Sequence, residues 1–393
     1  MKKSTWKRLG KDLLVLILVA VCIIEGIMLK MFVFSGDSSG IANSYKMKQI
    51  KAVIDKYYLE EVDEEAMREY TYKGMVAALG DPYSAYYTED EFKQLEESTA
   101  GVFSGVGLVL MQDPDTRAIS VVNPIKNSPG EKAGIKSGDI LYKVEGKEIS
   151  AEEDLNSVVA RVKGKEGTKV KLTFLRGEKE TEYTLTRKKI ETPTIEFEML
   201  EDKTGYIKIT EFDEITVDQF EKAVDQLEED GMEQMVIDLR DNPGGLLTSV
   251  IDIADQILPT GLLVYTETKD GTREEYNAKT EECIELPIAV LVNGNSASAS
   301  EILAGAIQDY DAGIVVGTTS FGKGIVQNLY QLGDGSAVKL TISTYYTPKG
   351  RNIHKKGIEP DVQVDLKESL KTKTEVKKSE DNQLQRALKE LNQ

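Results

Sequence analysis

Residues 288–305 read Ile288-Ala289-Val290-Leu291-Val292-Asn293-Gly294-Asn295-Ser296-Ala297-Ser298-Ala299-Ser300-Glu301-Ile302-Leu303-Ala304-Gly305. Five unbroken apolar residues suit a strand buried on both faces. A short polar turn follows, the serine–alanine run opens a helix over Ser298–Gln308, and Ile314–Val316 reads as another strand. The same order recurs upstream. Tyr206–Ile209 reads as a strand and Val217–Leu227 as an amphipathic helix ending near Gly231. Met235–Leu239 is a strand, followed by the turn Asn242-Pro243-Gly244-Gly245 and a helix from Leu246. This alternation over 195–365 predicts an α/β layered core.

Chemistry enters where the helix at Ser298 begins. Small neighbours allow close approach of another chain, and a nucleophile at a helix N-terminus gains from the positive end of the dipole. Serine needs a base. The chain has one histidine, His354, in a Lys- and Gly-rich loop that reads as solvated. Lysine is the natural candidate, and Thr319-Ser320-Phe321-Gly322-Lys323-Gly324 sets one between two glycines. Those glycines would let the lysine backbone pack close under the serine. To act as a base Lys323 must titrate well below an ordinary lysine, which burial can bring about. Three serines, Ser296, Ser298 and Ser300, sit among the alanines where the helix begins, and Asp238 and Arg240 read as bracing a strand end.

A single histidine excludes a zinc site built on several histidines, and there is no C-x-x-C knuckle; no metal and no cofactor is implied. Cys22 and Cys283 lie too far apart in character and sequence to pair. The formal net charge is −18, and residues 1–12 hold five basic side chains against one acid, so the rest is more acidic still. That argues against nucleic-acid binding, which needs a basic face.

Residues 1–12 are a basic segment, and residues 13–34 are almost wholly apolar, interrupted by Glu25 and Lys30. About 20 residues span a bilayer, and a cationic flank stays cytoplasmic. With no clear A-x-A cleavage site, the run reads as an uncleaved transmembrane signal anchor that places the rest on the extracytoplasmic side of the cell membrane. Residues 35–97 form a linker and an N-terminal helical region: helical periodicity covers 44–79, Gly80-Asp81-Pro82 stops it, and Thr88 with Glu91 forms a capping box. Residues 98–188 read as short strands with one helix, Asp154–Val162. Residues 366–393 read as a charged, solvated tail.

Within 98–188, Gly105-Val106-Gly107-Leu108 opens a strand. It is followed by Glu131-Lys132-Ala133-Gly134-Ile135-Lys136-Ser137-Gly138-Asp139-Ile140-Leu141 and by Val144-Glu145-Gly146-Lys147. This resembles a PDZ domain. The resemblance implies that the Gly105–Leu108 loop takes a terminal carboxylate on its N–H groups while the peptide adds as a strand beside Leu108–Met111.

Ser296–Gly305 and Phe321–Gln327 together resemble the carboxyl-terminal processing (tail-specific) proteases. So do Leu79–Ser84, Ile237–Gly245 and Thr347–Arg351, in order over residues 45–365. The resemblance implies a crotonase-like layered protease core at 189–365 with an inserted PDZ domain. It implies Ser298 as nucleophile, Lys323 as base and Gln327 orienting the lysine. An oxyanion hole needs two donors: the N–H of Ala299 is one, and Gly244 or Gly245 supplies the other, since Pro243 has none. The substrates implied are proteins or peptides with free C-termini, and a homodimer stays open. Two rival readings are a catalytically inactive membrane-tethered PDZ scaffold or chaperone, which hydrolyses nothing, and a Ser-His hydrolase that fails in His354→Ala.

Overall fold

The computed structural model describes residues 38–392 except 282, 372, 374 and 375. The basic segment and the expected anchor at 13–34 lie outside the described residues. Among those described, no helix is long and apolar enough to cross a membrane.

The chain divides into two units near Tyr72. The first holds α1 (Ser38–Tyr57) and the start of α2 (Glu64–Ala77). Lys51 joins the two helices through Asp55 at 2.6 Å and Glu64 at 2.5 Å. The apolar periodicity is present but uncovered, with Ile50, Val53 and Tyr57 all more than half exposed.

After the end of α2, the second unit continues with β1 (Ala85–Tyr87) and α3 (Glu89–Thr99). Thr88 and Glu91 cap α3 as expected: Glu91 N donates to Thr88 Oγ1 and Thr88 N donates to the Glu91 carboxylate. A PDZ domain follows. It is entered through β2 (Val102–Gly105) and contains β3 (Leu108–Gln112), β4 (Ile119–Pro124), the short α4 (Pro129–Lys132), β5 (Ile140–Val144), β6 (Lys147–Glu148), α5 (Leu155–Val162), β7 (Lys169–Arg176) and β8 (Lys179–Thr186); β9 (Lys188–Glu191) leaves it. Its sheet runs β3-β4-β5-β7-β8. Asp154 caps α5 by accepting from Ser157 N. Val158 and Val162 then face inward onto Val121, Leu172 and Phe174. Strands β2 and β9 pair antiparallel, so entrance and exit lie side by side.

The core comprises β10 (Ile195–Met199), β11 (Thr204–Ile209), α6 (Thr216–Glu229), β12 (Gln234–Asp238), α7 (Leu247–Ile257), β13 (Gly261–Thr268), β14 (Arg273–Ala278), β15 (Ile288–Val292), α8 (Ala299–Asp309), β16 (Ile314–Gly317), β17 (Ile325–Gln331), β18 (Ala337–Tyr346), β19 (Val362–Gln363), α9 (Glu368–Lys371) and α10 (Asn382–Leu391). One sheet runs β10-β11-β12-β15-β16-β19, parallel from β11 onward. Ile237 and Val290 point toward Phe220, Val250 and Leu303 on α6–α8, while Val236, Ala289 and Leu291 point to the opposite face. A second sheet, β1-β18-β13-β14 with β17 on β18, lies beside it.

The opposite face of the main sheet corrects one expectation. Within 366–393, expected to be a solvated tail, the described helix Asn382–Leu391 is packed. Helix α10 packs on β15 and β16 and buries Leu384 and Ala387, with Leu388 and Leu391 against them. These positions fall at i, i+3, i+4 and i+7, one stripe of a helix. A sheet buried on both faces needs that cover.

Candidate active site

The parallel strands end on one side, and the loops after β12 and β15 meet there, where open α/β sheets carry their sites. Ser298 stands at the start of α8 with φ 55° and ψ −113°, a conformation that costs an L-residue energy and persists only when held. It is held from both sides. Its carbonyl accepts from the buried Tyr345 hydroxyl at 3.0 Å, and its N–H donates to Glu301 at 2.9 Å. Glu301 is fully buried. Its carboxylate also accepts from Ser320 Oγ at 2.5 Å, Gly322 N at 2.7 Å and Lys323 N at 2.8 Å. One buried carboxylate thus joins the backbones of Ser298 and Lys323. Sequence reasoning did not single it out; the signal was an acid three residues past Ser298, where the first helical turn offers free N–H groups.

The two loops are stitched together. Ala297 N and Ser300 Oγ donate to Asn242 O at 3.0 and 3.1 Å. Ser296 Oγ donates to Leu239 O at 2.8 Å. Asp241 accepts from Asn293 and Asn295 at 2.9 and 2.8 Å. Ser296 and Ser300 therefore brace the loops. A Cβ added to Gly244 would lie 2.8 Å from Ser298 Cβ and 3.0 Å from Ala299 N; one on Gly245 would strike Phe212 O at 2.3 Å. The Gly244 N–H donates to Asn242 Oδ1 at 2.8 Å. The N–H groups of Gly245 and Ala299 have no acceptor among the described residues.

Ser298, Ala299, Gly245, Lys323, Gln327 and Tyr345 face one cavity of about 230 Å³, with Leu247, Ile302 and Ile325 as apolar wall. Lys323 is half-buried. Burial pushes its pKa below the ordinary lysine value; Lys339 pushes the same way, and Glu301 and Asp81 oppose. Its ammonium lies over the Tyr83 ring, 4.7 Å from the centroid, and no hydrogen bond joins it to Ser298. Gln327 donates to Thr341 Oγ1 at 3.3 Å and not to Lys323.

From sequence, the glycines beside Lys323 are expected to serve a close approach to the serine; instead they make room for another loop. A Cβ on Gly322 would meet Lys356 N at 2.9 Å and one on Gly324 would meet His354 N at 2.6 Å. The 353–357 loop packs behind the lysine. His354, expected to be solvated, is accordingly partly buried, and its enclosed Nδ1 has no hydrogen-bond partner among the described residues.

Residues 203–364 match the model of peptidase family S41, 102–186 the PDZ domain model, and 34–91 the activating protease CtpB N-terminal domain model. The chain is 37% identical over 336 residues to the carboxy-terminal processing protease CtpA of Bacillus subtilis (strain 168), covering 85% of this chain and 72% of that protein. The chain belongs to the carboxy-terminal processing proteases of family S41. It is a serine-type peptidase. A CtpA-like serine protease of Staphylococcus aureus (strain MSSA476) is 35% identical over 354 residues, 89% of this chain and 71% of that one. Among solved structures, the photosystem II D1 C-terminal processing protease aligns over 81% of this chain and 86% of its own at 30% identity, TM-score 0.48. An S41 protease from Bacteroides fragilis NCTC 9343 aligns over 86% and 92% at 16% identity, TM-score 0.51, and shares the fold.

Two further features of this S41 protease lie outside the cavity. In the PDZ domain, the carbonyls of Val106 and Gly107 accept from Gly130 N and Ile125 N, while their own N–H groups have no acceptor among the described residues. They border a small apolar pocket between β3 and α5, lined by Phe103, Gly105, Leu108, Leu110, Val159 and Val162. At the end of β12, Arg240 pairs with Asp238 at 2.5 Å and with Asp381, just before α10, at 2.7 Å; Tyr206 donates to Asp238 at 2.7 Å. A polar crevice of about 700 Å³ opens there, and its innermost charges satisfy one another.

Proposed function

We propose that this protease is anchored in the cell membrane by residues 13–34, works on the extracytoplasmic side, and cleaves proteins near their C-termini. Ser298 is the nucleophile and Lys323 the general base. The observation that carries this is one cavity holding Ser298, a partly buried lysine titrating below its usual range, and two N–H groups without acceptors. Neutral Lys323 takes the Ser298 Oγ proton as Oγ attacks the scissile carbonyl, and the resulting ammonium returns it to the leaving amine. Water then hydrolyses the acyl-enzyme with Lys323 again as base. The oxyanion is held by Ala299 N–H and Gly245 N–H, because the Gly244 N–H is committed to Asn242. Gln327 faces the same cavity as Lys323 and orients it there.

The PDZ loop reads the substrate tail through the N–H groups of Val106 and Gly107, with the last side chain in the apolar pocket. A tail bound there can also gate the site. Glu214 N donates to Thr99 O beside the PDZ entrance, Phe212 N donates to Gly244 O, and Leu246 N donates to Phe212 O. Segment 212–214 therefore links the root of the PDZ domain to the oxyanion loop. Ser298→Ala should abolish cleavage with the unfolding transition unchanged; cleavage that survives in Ser298→Ala but is lost in Ser296→Ala or Ser300→Ala would sink the assignment. Amidating a model peptide's C-terminus should weaken binding about tenfold or more, through loss of charge-assisted hydrogen bonds.

A further inference from the structure

The Lys323 ammonium has no hydrogen-bond acceptor among the described residues, yet it is not loose. It sits over the face of Tyr83, 4.7 Å from the ring centroid. Tyr83 belongs to the turn before β1, and that turn is fastened to the strands around the lysine. Asp81 accepts from Tyr83 N at 3.1 Å and from Ser84 Oγ at 2.5 Å. Ser84 Oγ accepts from Thr341 N at 3.1 Å, and Thr341 Oγ1 accepts from Gln327 at 3.3 Å. Ala85 pairs with Lys339 across β1 and β18. The ring is thus built into the site by the same chain of bonds that ends on Gln327.

An aromatic face attracts a cation through its quadrupole and has no comparable attraction for a neutral amine. We propose that Tyr83 is a positioning residue for the base: its ring holds the charged Lys323 side chain apart from Ser298 and releases the neutral amine to it. This rests on the reading of Lys323 as the base. When Lys323 loses a proton to solvent its hold on the ring ends, and its lone pair can accept the Ser298 proton; the N–H bond that forms replaces the O–H bond that breaks. The other charges facing Lys323 are Lys339 on β18, Asp81 in the same turn and Glu301 on α8. Lys339 favours release, and the two carboxylates favour retention of the proton. The ring adds to retention, so it sets the pH below which the enzyme rests.

The test separates this role from simple packing of the lysine stem. In the full chain, Tyr83→Phe and phenylalanine analogues with one, two and three ring fluorines at position 83 keep the shape but progressively weaken the ring's quadrupole. The pH dependence of kcat/KM is measured for each, with the unfolding midpoint as control. The acid limb should move stepwise to lower pH along the series, with kcat/KM on that limb rising about two- to fivefold in total and the midpoint unmoved. An acid limb that stays fixed across the series overturns the role of Tyr83 while leaving Lys323 as base. A limb that moves only as the midpoint falls does the same, because packing would then be the cause. Activity that survives in Lys323→Ala overturns both.

Discussion

Glu301→Gln is the sharpest probe of how the site is held. The substitution keeps the size of the side chain and removes its charge. In the native arrangement one carboxylate oxygen accepts from Ser320 Oγ and Gly322 N, and the other from Ser298 N and Lys323 N. An amide can place its oxygen on only one of these sides. If the oxygen faces Ser298 and Lys323, the amide nitrogen confronts Gly322 N–H, and Ser320 must turn its hydroxyl to accept. If it faces the other way, two backbone donors are left against a donor. The first orientation is the cheaper. It strands one buried N–H, at about 1–3 kcal/mol, and weakens the remaining bonds from charge-assisted to neutral, so the total loss is about 2–4 kcal/mol. A second consequence has the opposite sign. The Glu301 charge raises the pKa of Lys323, so removing it lowers that pKa and shifts the acid limb of kcat/KM to lower pH, even as kcat falls from misplacement of Ser298. Urea unfolding and a pH–rate profile read the two effects separately. A variant within about 0.5 kcal/mol of wild type, with full kcat and an unmoved limb, would refute the view that Glu301 clamps nucleophile to base.

Three further outcomes are expected. Gly244→Ala puts a methyl 2.8 Å from Ala297 O and Ser298 Cβ and 3.0 Å from Ala299 N, beside the proposed oxyanion donors, so kcat/KM should fall by about 100-fold or more; near-normal kinetics would place the oxyanion elsewhere. Asp381→Ala leaves the half-buried Arg240 short of one partner and should cost about 3 kcal/mol in urea unfolding, which a merely solvated tail would not. Burial, with Glu211 nearby, pushes Asp213 up to about 7. The folded state therefore binds its proton more tightly than the unfolded state, and stability present at low pH is lost as pH rises from about 4 toward about 7. Asp213→Asn should raise the urea midpoint relative to wild type at pH 8 and converge with it near pH 4; equal midpoints at both pH values would refute the shift.

Much was legible because its physics is local. The run Ile288–Val292, the turn after it and the small-residue start of α8 announce strand, loop and helix without outside help, as does Thr88 with Glu91 at α3. The dense glycine pattern of 105–146 marked a PDZ domain, and the resemblance of Ser296–Gly305 and Phe321–Gln327 marked a serine peptidase, since turn chemistry and family motifs are written in residue type. Other features depended on distant parts of the chain. Sequence alone left open whether Gly244 or Gly245 supplies the second oxyanion donor, because whether the Gly244 N–H is taken by Asn242 depends on the path of the loop. Only the fold brings Tyr83, some 240 residues earlier, over the Lys323 ammonium. The Lys323 glycines looked the same in sequence whether they made room for Ser298 or, as the structure has it, for the 353–357 loop. The charged C-terminus read as solvated because its stripe of Leu384, Ala387, Leu388 and Leu391 is short. What decides its fate is the bare face of the sheet at Val236, Ala289 and Leu291, together with a half-buried Arg240 that pairs with the carboxylate of Asp381. Local pattern determines which elements form; the demand that every buried face and charge find a partner determines where they meet.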